Sequence, residues 1–197
     1  GVTDPAALEG LCVLPDTDPL TLTADKTRMA GALLVPIRLP GGELQSVQCI
    51  PPTGPKLSLP GSMENGYHVV GTIEPGQPVY IVEGIGAAWA VHAAGGAAVV
   101  TFGVGRTEKV AATVQAQYPG SPVVLLPDVG QEAKAAQIAQ RLQCAVATLP
   151  GDLGDNADAW DYWHAHGTEA MAELLAGAAA PVQAATDSGA GADPWPA

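Results

Sequence analysis

The acids in this chain best placed to hold a divalent cation follow short apolar runs. Glu83 directly follows Val79-Tyr80-Ile81-Val82, and Asp128 follows Val123-Val124-Leu125-Leu126-Pro127. Asp158 and Asp161 come after a third run, residues 145–149, in a stretch that also carries Asp152 and Asp155. If these runs are neighbouring parallel strands, their carboxylates emerge on one edge of a sheet. Like charges gathered there repel unless a divalent cation sits between them, and hard carboxylate oxygens suit Mg²⁺ or Mn²⁺. Each acid also has a plainer reading as a helix N-cap: Asp128 for a helix opening near Gln131, Asp158 for the next one. Gly103-Val104-Gly105, followed by Arg106, is a weak phosphate-loop pattern, and no full GxGxxG or P-loop is present. Asp158, Asp161 and His164 share one helix face by spacing, with His166 close by. A zinc or iron site and a solvated face with Trp160 and Trp163 turned inward both fit that spacing, and the solvated face is preferred.

The elements that must position these residues are legible as alternating strands and helices. Strands are expected at 79–82, 97–102, 122–126 and 145–149. Helices are expected at 85–94, closed by Gly95-Gly96, and at 107–118, 131–142, 158–166 and 168–175. Short links between alternating elements signal a parallel sheet with flanking helices, whose ligands bind beyond the carboxyl ends of the strands. Upstream, Leu33–Arg38 and Leu44–Ile50 flank Pro40-Gly41-Gly42 as a hairpin, and short strands at 56–60 and 67–70 extend it. The expected organisation is an irregular segment over 1–30, with a helical turn near Pro5–Glu9, and a small antiparallel β subdomain over 31–75. An α/β domain over 76–177 and an Ala/Gly/Pro-rich tail over 178–197 complete it.

Bulk properties narrow the function classes. The 197 residues hold 8 Lys+Arg against 20 Asp+Glu, a formal charge of −12. Phosphate neutralisation supplies most nucleic-acid affinity, so this balance argues against tight DNA binding by the chain alone. Action on nucleic acid would have to run through bound cations, with other domains gripping the strand. The 47% apolar content is that of a globular protein. Cys12, Cys49 and Cys144 are far apart, form no CxxC or zinc spacing, and read as reduced thiols in a cytoplasmic protein. No signal peptide or membrane-spanning run is seen. The start at Gly1 reads as a segment of a longer chain or as loss of an initiator Met.

The order of these elements resembles the Toprim domain of plasmid- and phage-type DNA primases and primase-helicases. Val79-Tyr80-Ile81-Val82-Glu83-Gly84, leading into the alanine-rich stretch to His92, resembles the first Toprim motif. Residues 98–105 look like the second strand and its glycine turn. Val123-Val124-Leu125-Leu126-Pro127-Asp128 is similar to the strand that delivers the first Asp of the family's DxD. Asp158-Ala159-Trp160-Asp161 with His164-Ala165-His166-Gly167 resembles the late D-x-N-D … H-G segment. The hairpin and Pro55-Lys56-Leu57-Ser58-Leu59-Pro60-Gly61 are similar to the region preceding Toprim in those proteins. The likeness spans about residues 30–167.

That resemblance implies a Toprim-like, Rossmann-like parallel sheet preceded by a small antiparallel unit. It implies an enzyme that joins ribonucleoside triphosphates on a single-stranded DNA template with Mg²⁺ or Mn²⁺. Glu83 would be the general acid/base or a metal-linked carboxylate, Asp128 a metal ligand, and Asp158 and Asp161 further ligands. Lys56, Gly103, Gly105 and Arg106 would contact phosphate. Helicase and zinc-binding domains would lie elsewhere in the full-length protein or on separate subunits. One departure stands out: the second DxD aspartate falls at Gly130, with Glu132 its nearest substitute. The alternatives are a non-catalytic Toprim module binding DNA or a protein partner, a Toprim-type metal-dependent nuclease, and a small-ligand-binding α/β domain.

Overall fold

The computed structural model describes residues 2–22, 27–59 and 63–178. The expected tail, apart from Ala178, lies outside the described residues, as do Pro60 and Gly61 of the quoted upstream segment. The chain folds into a five-stranded main sheet, a four-stranded antiparallel sheet and a two-stranded ribbon.

In chain order the elements are β1 (Cys12–Val13), β2 (Thr21–Leu22), β3 (Thr27–Arg28), β4 (Leu33–Arg38), β5 (Leu44–Ile50), β6 (Leu57–Ser58) and β7 (His68–Val70). Then come β8 (Val79–Val82), α1 (Ile85–Ala93), β9 (Ala97–Val100), α2 (Thr107–Gln117), β10 (Val123–Leu125), α3 (Glu132–Leu142), β11 (Ala145–Val146) and α4 (Ala159–Ala176). The main sheet runs β11-β10-β8-β9-β7, parallel except for β7. The helical turn expected near Pro5–Glu9 is a 3-10 turn over Pro5–Leu8, opened by Asp4.

Every residue of β8, β9 and β10 is buried, which explains why these strands read as continuous apolar runs and not as alternations. Successive residues still point to opposite faces. Val79, Ile81, Val99, Val123 and Leu125 join Val110, Ala111 and Val114 of α2 and Ala135, Ile138 and Ala139 of α3. Tyr80, Val82, Ala98, Val100 and Val124 face the other way, onto Ala87, Ala88, Ala90 and Val91 of α1 and Met171 and Leu175 of α4. The sheet is thus sandwiched between two helix pairs. α1 is apolar on most of its surface because α4 covers what the sheet does not.

Three expectations need correction, the first of them in the upstream region. The strand over 67–70, expected in the antiparallel subdomain, belongs to the main sheet: β7 pairs His68 with Val100 and Val70 with Ala98. The unit over 31–75 therefore does not stand apart. A bridge between Arg38 and Tyr67 stitches β4 to the start of β7, and Val35 lies in the same core as α1. The second concerns length: the strand expected over 145–149 is only two residues long, and the chain then leaves the sheet through the 3-10 turn at Gly151–Leu153. The two helices expected over 158–175 run as one element broken at Gly167, whose φ of +85° interrupts the helical backbone.

Candidate active site

β8 and β10 are neighbours in parallel register, with Ile81 opposite Leu125. The Leu126 N–H donates to the Ile81 carbonyl at 3.0 Å, which carries the pairing to the strand ends. Parallel strands end on the same edge, so Glu83 and Asp128 leave the sheet side by side. A second link brings in the acids of α4: the Val129 N–H donates to the Ala157 carbonyl at 2.8 Å. Asp128 and Asp158 flank that bond.

The four carboxylates are held differently. Glu83 is partly buried and accepts the Val104 N–H. Burial raises its pKa, while that hydrogen bond and the Lys134 charge lower it, and the net direction is upward. The expected phosphate-loop glycines explain the Val104 contact. Gly103 adopts φ +130°, a conformation that side chains rarely allow, and the next N–H is thereby aimed at Glu83. Gly105 is exposed.

Asp128 makes no side-chain hydrogen bond among the described residues, and its pKa is pushed up to about 7. Burial is the largest cause, followed by the charges of Glu83, Asp158 and Asp161, with Lys56 opposing them. It does not cap α3, whose N-cap is Gln131. Asp158, by contrast, is the N-cap of α4. Its Oδ1 accepts the N–H groups of Trp160 at 2.8 Å and Asp161 at 3.2 Å, and Asp161 Oδ2 accepts the Asp158 N–H at 3.0 Å. This is a capping box, so the plainer reading holds for Asp158 and Asp161. Burial still pushes the Asp158 pKa up, ahead of the hydrogen bonds that lower it.

Gly130 has φ +91° and open space where a side chain would stand. An aspartate there would be limited by backbone strain, not by room. Its N–H donates to both oxygens of Glu132, at 2.9 and 3.0 Å. Glu132 is therefore engaged at the helix start and is not among the charges that act on Asp128.

Lys56 reaches the rim from the antiparallel sheet: its Nζ lies 3.9 Å from where a Cβ on Gly84 would stand. It is exposed, forms none of the ion pairs among the described residues, and its charge is felt by Asp128 and Asp158. Arg106, expected at phosphate, is used otherwise. Its Nη2 donates to the carbonyls of Met63 and Gly66, and Nε and Nη1 are buried without partners among the described residues. It tethers the loop entering β7, where the Met63 carbonyl also accepts the Gly66 N–H. Lys134 went unnoticed in the sequence, where it is one of several polar residues on the exposed face of α3. His164 stacks on Trp160 with centroids 4.7 Å apart.

Hard carboxylate oxygens gathered at one rim, with Asp128 short of partners, fit a divalent cation. Among the described residues no group of three His, Cys, Asp or Glu side chains is arranged to hold a metal ion. Mg²⁺ does not require one, because it keeps several waters and takes one or two carboxylates together with substrate phosphates.

No family profile matches this sequence, and no curated protein does. Solved structures do. The RNA polymerase domain of Mycobacterium tuberculosis primase DnaG matches with a TM-score of 0.64 and 19% identity, over 90% of this chain and 73% of that one. The Aquifex aeolicus primase zinc-binding and RNA polymerase domains match with a TM-score of 0.62 and 16% identity, over 89% of this chain and 53% of that one. The primase fragment of the bacteriophage T7 primase-helicase matches with a TM-score of 0.55 and 16% identity, over 73% and 62%. The fold, a helix-flanked, mostly parallel sheet joined to an antiparallel one, is thus that of primase catalytic cores. This chain spans only part of the length of each. No helix among the described residues is long and apolar enough to cross a membrane.

Proposed function

We propose that this chain is the Toprim catalytic-core region of a DNA primase of the kind that serves plasmids, phages and mobile elements. It would join ribonucleotides on a single-stranded DNA template. The observation that carries the reading is the rim itself: Glu83 and Asp128 end adjacent parallel strands, and Asp128 is raised to about 7 with no hydrogen bond to hold it. The likeness in fold to primase cores supports the same reading.

In this reading Asp128 holds Mg²⁺ or Mn²⁺, Glu83 stands beside it as the general base, and Asp158 and Asp161 add negative potential behind them. The cation, when bound, neutralises triphosphate charge and increases the acidity of the attacking hydroxyl. The chain's own part is to keep Glu83 oriented through the Val104 N–H and to present Lys56 to phosphate across Gly84. Glu83, with its raised pKa, is suited to take up the proton of the primer 3′-hydroxyl. With a charge of −12, the chain would depend on helicase and zinc-binding domains to grip the template.

The test is primer synthesis on single-stranded DNA with ribonucleoside triphosphates and Mg²⁺ or Mn²⁺, using the chain joined to the rest of its gene product. Activity abolished by Glu83→Gln supports the reading. A second reading, a non-catalytic Toprim module, draws on Gly130 and on the engagement of Glu132 by its N–H. It is favoured if no Mg²⁺ or Mn²⁺ binds at millimolar concentration. Plasmid nicking without nucleoside triphosphates would point to a nuclease.

A further inference from the structure

α1 and α4 carry, near their N-terminal ends, a cluster of mutually tilted rings that the carboxylate chemistry leaves unused. Ring centroids of Trp89 and Trp160 lie 6.0 Å apart, those of Trp160 and Trp163 5.2 Å, and those of Trp160 and His164 4.7 Å. Trp160 and Trp163 are partly exposed and His164 is exposed. The cluster adjoins the rim. Trp160 lies over Gly86, where a Cβ would come within 3.3 Å of the Trp160 Cβ, and Gly86 is three residues from Glu83. On its own helix Trp160 follows Asp158 by two residues.

Two of the indoles are anchored by hydrogen bonds. The Trp163 indole N–H donates to Thr168 Oγ1 at 3.0 Å, across the break at Gly167. The Trp89 indole N–H donates to the Ala7 carbonyl at 2.9 Å. With these N–H groups satisfied inside the protein, what Trp163 offers a ligand is its ring surface. Ring surfaces suit flat, apolar faces and are indifferent to base identity. A stable protein partner would need about 800 Å² from each side. Two indoles of roughly 150–250 Å² each and a smaller imidazole, already partly covered, fall short of that.

We propose that Trp160, Trp163 and His164 form a stacking platform for an unpaired nucleobase held beside the carboxylate rim. This rests on the nucleic-acid reading above and adds a base-binding surface to it. Continuity with the rim decides the occupant: a strand or nucleotide whose phosphate lies near Lys56 and the cation would have its base within reach of α4.

The experiment is a fluorescence titration of the full chain in Mg²⁺, with oligo(dT), with an abasic strand of equal length, and with a ribonucleoside triphosphate. The expected result is quenching of indole emission by a base-bearing ligand, and roughly tenfold tighter binding of oligo(dT) than of the abasic strand. Quenching by the strand assigns the platform to the template, and quenching by the triphosphate alone assigns it to the incoming nucleotide. Trp160→Ala should remove the preference and Trp160→Phe should retain part of it. Because Trp160 also packs on α1, His164→Ala, at an exposed position, gives a second test that spares the fold. Equal affinity for the two strands, a preference that survives both alanine variants, or binding of a protein while neither nucleic-acid ligand quenches would overturn the platform. Primer synthesis without base preference would remove the platform and leave the primase reading intact. Base preference without primer synthesis would do the reverse.

Discussion

Two pairs of acids meet at one edge of the sheet, and the backbone treats them in opposite ways. Asp158 and Asp161 sit at a helix N-terminus, where unpaired N–H groups point outward: Asp158 accepts from the first turn of α4, and Asp161 accepts the N–H of the N-cap. Glu83 and Asp128 sit at strand ends, where the ladder has consumed the backbone donors. Glu83 receives a single N–H, from a turn that only Gly103 permits, and Asp128 receives none. The helix pair is satisfied by the protein. In the proposed reading the strand pair is the one that takes the cation, and the charges of Asp158 and Asp161 add to the repulsion on Asp128.

The sharpest way to break this comparison is activity. In the primer-synthesis assay, Asp128→Asn and Glu83→Gln are expected to lower the rate by on the order of 10²-fold or more. Asp158→Asn, which keeps a capping side chain, should cost far less. If the three variants lose activity equally, the distinction between strand-end and helix-end acids fails.

Stability against pH comes next. A carboxyl whose pKa in the folded state, about 7, exceeds its ordinary 3.8 holds an extra proton in the native state between those values. The metal-free protein should therefore lose stability as pH rises from about 4 to about 7, with no further loss from this group above that. The total, with partial solvent contact allowed for, is on the order of 2 kcal/mol. Asp128→Asn should flatten that slope and stabilise the metal-free protein at pH 8 in urea titrations. An unchanged slope would mean that Asp128 is not the strained group.

Smaller effects sharpen the picture. Gly130→Ala forces a side chain into φ +91° and should destabilise by about 1–2 kcal/mol in the same titrations, although nothing lies within 4 Å of the new atom. Asp158→Ala removes the cap of α4 and should cost about 1 kcal/mol. A neutral outcome at Gly130 would show that the loop relaxes freely, and the aspartate absent there would then be a matter of chemistry alone.

Much of this rim was legible in the sequence. Val79–Val82 and Val123–Leu125 are apolar throughout because both faces are buried, and the acids follow them directly. Asp158 is readable as a helix N-cap, and its three-residue spacing to Asp161 is that of the capping box the structure forms. What escaped depends on partners distant in the chain. The pairing of β7 with β9 joins segments about 30 residues apart, and a three-residue strand carries no local mark of its sheet. Arg106 looked like a phosphate ligand beside a glycine turn, but its partners are carbonyls some 40 residues upstream. Lys134 resembles any solvated lysine until α3 brings its charge near Glu83.

Calorimetric titration of the metal-free chain with Mn²⁺ across pH tests the central claim most directly. Binding should tighten by up to tenfold per pH unit as pH rises toward 7, level off above it, and weaken at least tenfold in Asp128→Asn. Absence of binding at millimolar Mn²⁺, or binding indifferent to both pH and Asp128, would contradict it.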